Sequence, residues 1–181
     1  MKNKNIIKIL IPVLMLCVIA GIWVSQILPQ QKLEENVPSS KSDFPLEITS
    51  VDLEALSKHK LPIIIDFGAD ECVPCKQMAP VLVKLNEDMQ GKAIIQFVDV
   101  WKNPNASIGF PVQLIPTQVF VNSDGTPYVP SKELSSTIQF SMYTDRETNK
   151  HTFTVHQGGL TEEQMLLILA DMGVKLWLIC G

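Results

Sequence analysis

Hydrophobic positions form one long run, several short β-branched runs and a few runs at helical spacing. The long run comes first: residues 9–28 are apolar apart from Pro12, Gly21, Ser25 and Gln26, and about 20 such residues suffice to cross a bilayer. Residues 29–45 are polar, aperiodic and punctuated by Pro and Ser, which reads as a linker. Residues 46–49 form a short strand candidate, and Ser50 or Asp52 caps a helix carrying Val51, Leu53 and Leu56 that ends at Lys58-His59-Lys60. Residues 61–67 and 93–100 are nearly continuous apolar stretches, as in strands covered on both faces. Between them, Met78, Val81, Leu82, Leu85 and Met89 recur at helical spacing over residues 73–89, with Pro80 inside the helix as an expected kink and Gln90-Gly91 as its stop.

The second half is less regular. Asn103-Pro104-Asn105 marks a turn, with a short helix expected around Ala106 and Phe110 before Pro111. Residues 117–121 read as a strand and Asn122-Ser-Asp-Gly125 as a turn. Residues 127–134 are irregular or briefly helical. Residues 137–144 then alternate Ile138, Phe140 and Met142 with Thr137, Gln139, Ser141 and Tyr143, predicting a strand with one apolar face. A turn over residues 145–150 returns the chain to a strand at 152–156, with Phe153 and Val155 inward. Gly158-Gly159, the N-cap Thr161 and an amphipathic helix up to Gly173 close the body, before an apolar tail with Trp177 and Cys180.

Among 181 residues, 46% are hydrophobic and 19% charged, enough for one ordinary domain with a core plus extra segments. The pattern divides the chain into a basic stub at 1–8, an anchor at 9–28, a linker at 29–45, a domain at 46–173 with an insertion at 126–150, and a tail at 174–181. Lys2, Lys4 and Lys8 precede the apolar run, so the positive-inside rule places the stub in the cytoplasm and the domain on the extracytoplasmic side. The rival reading is a cleaved secretory signal ending near Val18-Ile19-Ala20, but the apolar run continues well past it. Either reading exports the domain. Cys17 invites a lipoprotein reading that the bulk of Leu16 opposes. A net charge of −4 offers no basic footprint for nucleic acid.

The chemistry concentrates where the strand at 61–67 gives way to the helix at 73–89. Cys72 and Cys75 stand at that junction, in the sequence Cys72-Val-Pro-Cys75. A sulfur at a helix start lies beside unpaired backbone N–H groups and the positive end of the helix dipole, where a thiolate is stabilised. Cys75, one turn later, lies on the same face, within reach of a disulfide with Cys72. Asp66 is a carboxylate inside the apolar strand, costly unless it is exposed, paired or used. It reads either as a strand-end turn cap or as a buried proton carrier. His59, His151 and His156 are dispersed and no second cysteine pair exists, so no metal site and no cofactor is expected. No protease signature flanks Cys72.

Asp66-Phe67, Ala69, Cys72-x-Pro74-Cys75-Lys76, Ala79-Pro80, Ile115-Pro116-Thr117 and Gly158-Gly159 together resemble the thioredoxin family over residues 46–173. The resemblance implies a thioredoxin fold: three α/β/α layers around a central mixed sheet, here with an N-terminal transmembrane helix and a lengthened hairpin added. It implies a redox-active Cys72–Cys75 disulfide, with Cys72 as nucleophile, Cys75 as resolving cysteine and Asp66 handling the proton. It also implies a cis peptide before Pro116, with Ile115, Pro116 and Thr117 docking the substrate chain. Glu71, Val73 and Pro74 are the immediate neighbours of the dithiol.

Several residues depart from the family pattern. Gly68 and Glu71 stand where tryptophans are usual, Val73 where glycine is usual, and Phe97 where a lysine is usual near the buried aspartate. Glu71 should disfavour a thiolate at Cys72, and the missing lysine should disfavour ionised Asp66. The expected function is reduction of disulfides in exported proteins, fed by a CcdA/DsbD-type membrane electron donor. The alternatives are an oxidase or isomerase, which Pro74 opposes, and a tethered adaptor with structural cysteines. The hairpin is either a recognition surface or a cover for a sheet edge.

Overall fold

The computed structural model describes residues 43–176. The segment at 9–28, most of the linker, Cys17 and Cys180 lie outside them. Among the described residues, no helix is long and apolar enough to cross a membrane.

Five strands form one mixed sheet. β1 (Ile63–Gly68) runs parallel to β2 (Ile94–Asp99) and antiparallel to β3 (Thr117–Val121). Beyond β3 lie β5 (His151–Gln157) and the edge strand β4 (Ser141–Thr144), giving the order β2-β1-β3-β5-β4. Side chains alternate across a strand, so the apolar run of β1 serves two cores. Ile63, Ile65 and Phe67 face one side, packed with Val98, Val119 and Val155, and with Leu53 and Leu56 of the short helix α1 (Leu53–Ser57). Asp52 caps α1 by accepting from Ala55 N at 2.9 Å. Ile64 faces the other side, with Ile95 and Phe120, beneath α2 (Val73–Asp88). The same alternation puts Asp66 on the α2 side.

α2 is held by its apolar stripe: Met78, Leu82 and Leu85 are all at most 2% exposed. The helix continues through Pro80. Asn86, buried on its inner face, donates to the carbonyls of Ile95 at 2.7 Å and Phe44 at 3.0 Å, fastening the start of the domain to β2. The strand expected at 46–49 is reduced to a single bridge, Glu47 beside Phe97. The short helix expected near Ala106 is a 3₁₀ turn, Pro104–Ser107.

The insertion differs most from expectation. Three of its residues, Tyr128, Leu134 and Ile138, join the core cluster under α2 and α4 (Glu162–Asp171), while most of the rest is exposed. Tyr128 donates through its hydroxyl to Asp171 of α4, and its carbonyl accepts from Thr154 Oγ1 at 2.6 Å. Only residues 141–144 of the predicted strand at 137–144 are extended. Residues 136–138 instead complete the turn that follows α3 (Lys132–Ser135), with Ile138 N donating to Leu134 O at 2.9 Å. Leu134 and Ile138 therefore share a helical face, and the period-two pattern is broken before β4 begins. Met142, expected inward, is 60% exposed, whereas Tyr143 pairs with Phe153 and packs against the opposite core. β4 covers the edge of β5. α4 opens on a capping box between Thr161 and Gln164, as the sequence indicates.

Candidate active site

Cys72 is the N-cap of α2 and has no side-chain capping bond, so its sulfur sits at the end of the helix whose amides lack intrahelical partners. The loop before it is pinned from both ends. Cys72 N donates to Ala69 O at 3.1 Å, and Asp70 N donates to Asp99 Oδ2 at 3.0 Å. Asp99 Oδ1 also accepts from Trp101 N and Lys102 N, both at 2.9 Å. Burial pushes the Asp99 carboxyl up, but these backbone donors and Lys102 outweigh it and hold the group below the usual carboxylate range. Glu71, beside Cys72 in the chain, pairs with Lys76 at 3.0 Å. Both partners of that pair are exposed, as are Val73 and Pro74.

Both cysteines are free thiols, and they cluster with Ala69 and Ile115. Cys72 Sγ lies 3.9 Å from the Ile115 carbonyl oxygen. The Ile115–Pro116 peptide is cis, as the resemblance implies. Thr117 Oγ1 donates to Leu114 O at 2.6 Å, and Gly158 N donates to Pro116 O at 2.9 Å. Ile115, Pro116 and Thr117 are thus held beside the dithiol from both flanks, with Ile115 half-buried and the other two buried. Cys75 is 4% exposed; burial, then the neighbouring Cys72 thiol, pushes it well above the ordinary thiol range. A thiol so placed needs a base before it can attack.

Asp66 is 1% exposed, and its carboxylate accepts from a side chain and from no turn amide, so it is not a strand-end turn cap. Its Oδ1 accepts from Gln118 Nε2 at 2.6 Å, while its Oδ2 is buried without a hydrogen-bond partner. Burial raises its pKa from 3.8 to about 7, against a lowering effect of the Gln118 bond. A Cβ placed on Gly68 would lie 3.3 Å from Asp66 Oδ2, 3.3 Å from Cys75 Sγ and only 2.8 Å from the Phe97 ring. The free carboxylate oxygen and the Cys75 sulfur therefore face one small space, which Gly68 keeps open and Phe97 closes. Phe97 is the Cα partner of Asp66 across β1 and β2, so an aromatic ring stands where the family pattern would place a cation.

Gln118 and Asp99 were not singled out from sequence. Gln118 carries a visible signal: it is polar within the apolar strand that pairs with the strand of Asp66. The histidines lie with other partners, His59 against the Phe44 ring, His151 at the Phe153 carbonyl and His156 at the Gln139 carbonyl. Among the described residues, no group of three or more metal-binding side chains is arranged to hold an ion.

Residues 47–140 match the family model described as Thioredoxin. The thioredoxin of Staphylococcus saprophyticus is 40% identical over 82 residues, covering 42% of this chain and 78% of that one. The thioredoxin of Staphylococcus aureus is 38% identical over 82 residues, covering 45% of this chain and 77% of that one. In three dimensions the chain is similar to a crystal structure of chloroplastic thioredoxin z, with a TM-score of 0.50 at 23% identity over 72% of this chain and 95% of that one. At that identity the likeness speaks for the fold alone.

The raised pKa of Asp66 sets a pH dependence of stability. Between 3.8 and about 7 the unfolded chain has released this proton and the native state still holds it, so stability falls as pH rises through that window. The full effect is ~4 kcal/mol. Asp66→Asn is expected to flatten this part of the profile and to be the more stable protein above neutrality. Denaturant unfolding of both reduced proteins across the window is the check, and parallel curves would contradict the buried, proton-holding carboxyl.

Proposed function

The chain belongs to the thioredoxin family and is a thiol-disulfide oxidoreductase, and from that premise we propose that it is a membrane-tethered reductase of disulfides in exported proteins. Cys72 is its nucleophile. The thiolate of Cys72 attacks one sulfur of the substrate disulfide, forming a mixed disulfide and expelling the other substrate sulfur as a thiolate. The Cys75 thiol then gives its proton to Asp66, and its sulfur attacks Cys72 Sγ. The second substrate sulfur leaves as a thiolate, two electrons have passed to the substrate, and Cys72–Cys75 is a disulfide.

The observation that carries this reading is the meeting of the unpartnered Asp66 Oδ2 and Cys75 Sγ at Gly68. A carboxyl with a pKa of about 7 is a usable base at neutral pH, whereas one at 3.8 would be far weaker. Ile115, Pro116 and Thr117 receive the substrate as an extended segment beside Cys72, through main-chain groups. Val73 and Pro74 border the approach to Cys72, and Glu71 is matched by Lys76.

The direction of transfer is supported by Pro74 between the cysteines, shared with the reducing members of the family. Export is supported by Lys2, Lys4 and Lys8 ahead of the apolar run at 9–28. An extracytoplasmic reductase must be re-reduced, and a CcdA/DsbD-type membrane conduit is the class of donor that fits.

Three measurements test these points. Cys75→Ser leaves the first attack intact and removes resolution, so mixed disulfides with exported proteins should accumulate; none forming would sink the exchange mechanism. The reduction potential should fall near thioredoxin's ~−270 mV, and a value near the ~−120 mV of a strong oxidant would reverse the assigned direction. In intact cells or spheroplasts the domain should be cleaved by added protease and its stub should remain with the membrane; protection from protease would overturn the export reading.

A further inference from the structure

Asp66 on β1 and Gln118 on β3 stand opposite each other across an antiparallel pair. Both are buried, at 1% and 0% exposure. The Gln118 amide nitrogen donates to Asp66 Oδ1 at 2.6 Å and to the Gly158 carbonyl at 3.2 Å, with Met78 Sδ at 3.5 Å. An amide has two N–H groups, and here each has an acceptor. Turning the amide over would bring its oxygen against a carboxylate and a carbonyl, so the two acceptors together fix its orientation. Its own oxygen is buried without a partner, and the two donated bonds are what hold the side chain in this position.

This bond decides how Asp66 is presented. Oδ1 is occupied by a donor, which leaves Oδ2, on the Cys75 side of Gly68, as the oxygen free to take a proton. We infer that Gln118 is a positioning residue for the resolving step: it aims Asp66 Oδ2 at Cys75 and favours the ionised carboxylate that accepts the Cys75 proton.

The groups around Asp66 leave this task to Gln118. From α2 the titratable neighbours are Cys75 and, beyond it, Cys72. From β2 the neighbour is the uncharged Phe97. From β5 it is His156, the register partner of Gln118, whose Nδ1 is engaged by the Gln139 carbonyl at 2.8 Å. A neutral donor bonded to a carboxylate favours its charged form, and losing that bond raises the pKa by about one pH unit or more.

This inference rests on the reading of Asp66 as proton acceptor for Cys75, and the experiment separates the two. In full-length protein, the Asp66 carboxyl carbon is titrated by NMR, and the resolution of a preformed mixed disulfide is followed in single turnovers over a range of pH. Gln118→Met keeps the side-chain length and removes the donor. The Asp66 inflection should move up by about one pH unit or more and resolution at neutral pH should slow about fivefold. The first attack by Cys72 should change by less than about twofold. An unmoved inflection in Gln118→Met, with Asp66→Asn abolishing the wild-type pH dependence, overturns the role of Gln118 and leaves Asp66 as the base. An unchanged profile in Asp66→Asn overturns both. If Gln118→Met loses its native circular dichroism, Gln118→Leu removes the donor with a shorter apolar side chain and adds no titratable group. Its Asp66 inflection should likewise rise by about one pH unit or more, and an unmoved one again overturns the inference.

Discussion

A single carboxylate buried in the central strand sets the terms for much of this site. Asp66 occupies a position in β1 where its neighbours Ile65 and Phe67 are wholly inaccessible, and an ionised carboxylate there lacks the water that would stabilise it. The protein answers with one strong donor, Gln118, instead of a cation, and leaves the other oxygen bare. The resulting group holds its proton to near neutrality, which fits it to exchange protons with a thiol that burial keeps protonated.

The rest of the architecture can be followed outward from that strand. Period-two alternation sends Asp66 to the same face as Ile64, and that face is covered by α2, whose N-terminus carries both cysteines. β3 lies antiparallel beside β1, so Gln118 meets Asp66 while Ile115 and Pro116, at the entry to β3, arrive beside Cys72. β2 lies on the other side and delivers Phe97 to the gap at Gly68. The glycine and the phenylalanine are a matched pair. A side chain at residue 68 would collide with the ring, and without the ring the gap would open.

Reading the chain as a sequence recovers elements whose signals are local. The buried strands at Ile63 and Ile94, the α2 stripe from Met78 to Leu85, the cap at Asp52 and the capping box at Thr161 were all legible, because each depends on residues a few positions apart. The segment from Thr137 to Thr144 was misread for the same reason. Its alternation imitates a strand, but Ile138 closes a helical turn on Leu134 and the extended part starts later, which turns Met142 outward and Tyr143 inward. Choosing between those readings requires knowing that Tyr128, Phe120 and Phe140 assemble into one aromatic cluster.

The sequence by itself determined the kind of chemistry: two cysteines one turn apart where a buried strand meets a helix, with an anomalous carboxylate in that strand. Those relations are set by covalent spacing and helical geometry, and no distant part of the chain can alter them. Tertiary structure decided how the chemistry is tuned. Asp66 and Gln118 are 52 residues apart, and their contact exists only through the pairing of β1 with β3. The space shared by Asp66, Cys75, Gly68 and Phe97 likewise exists only once helix and strands have closed around it. Burial, donor geometry and the filling of a gap are properties of assembled surfaces, so they are settled when the sheet and its covering helices come together.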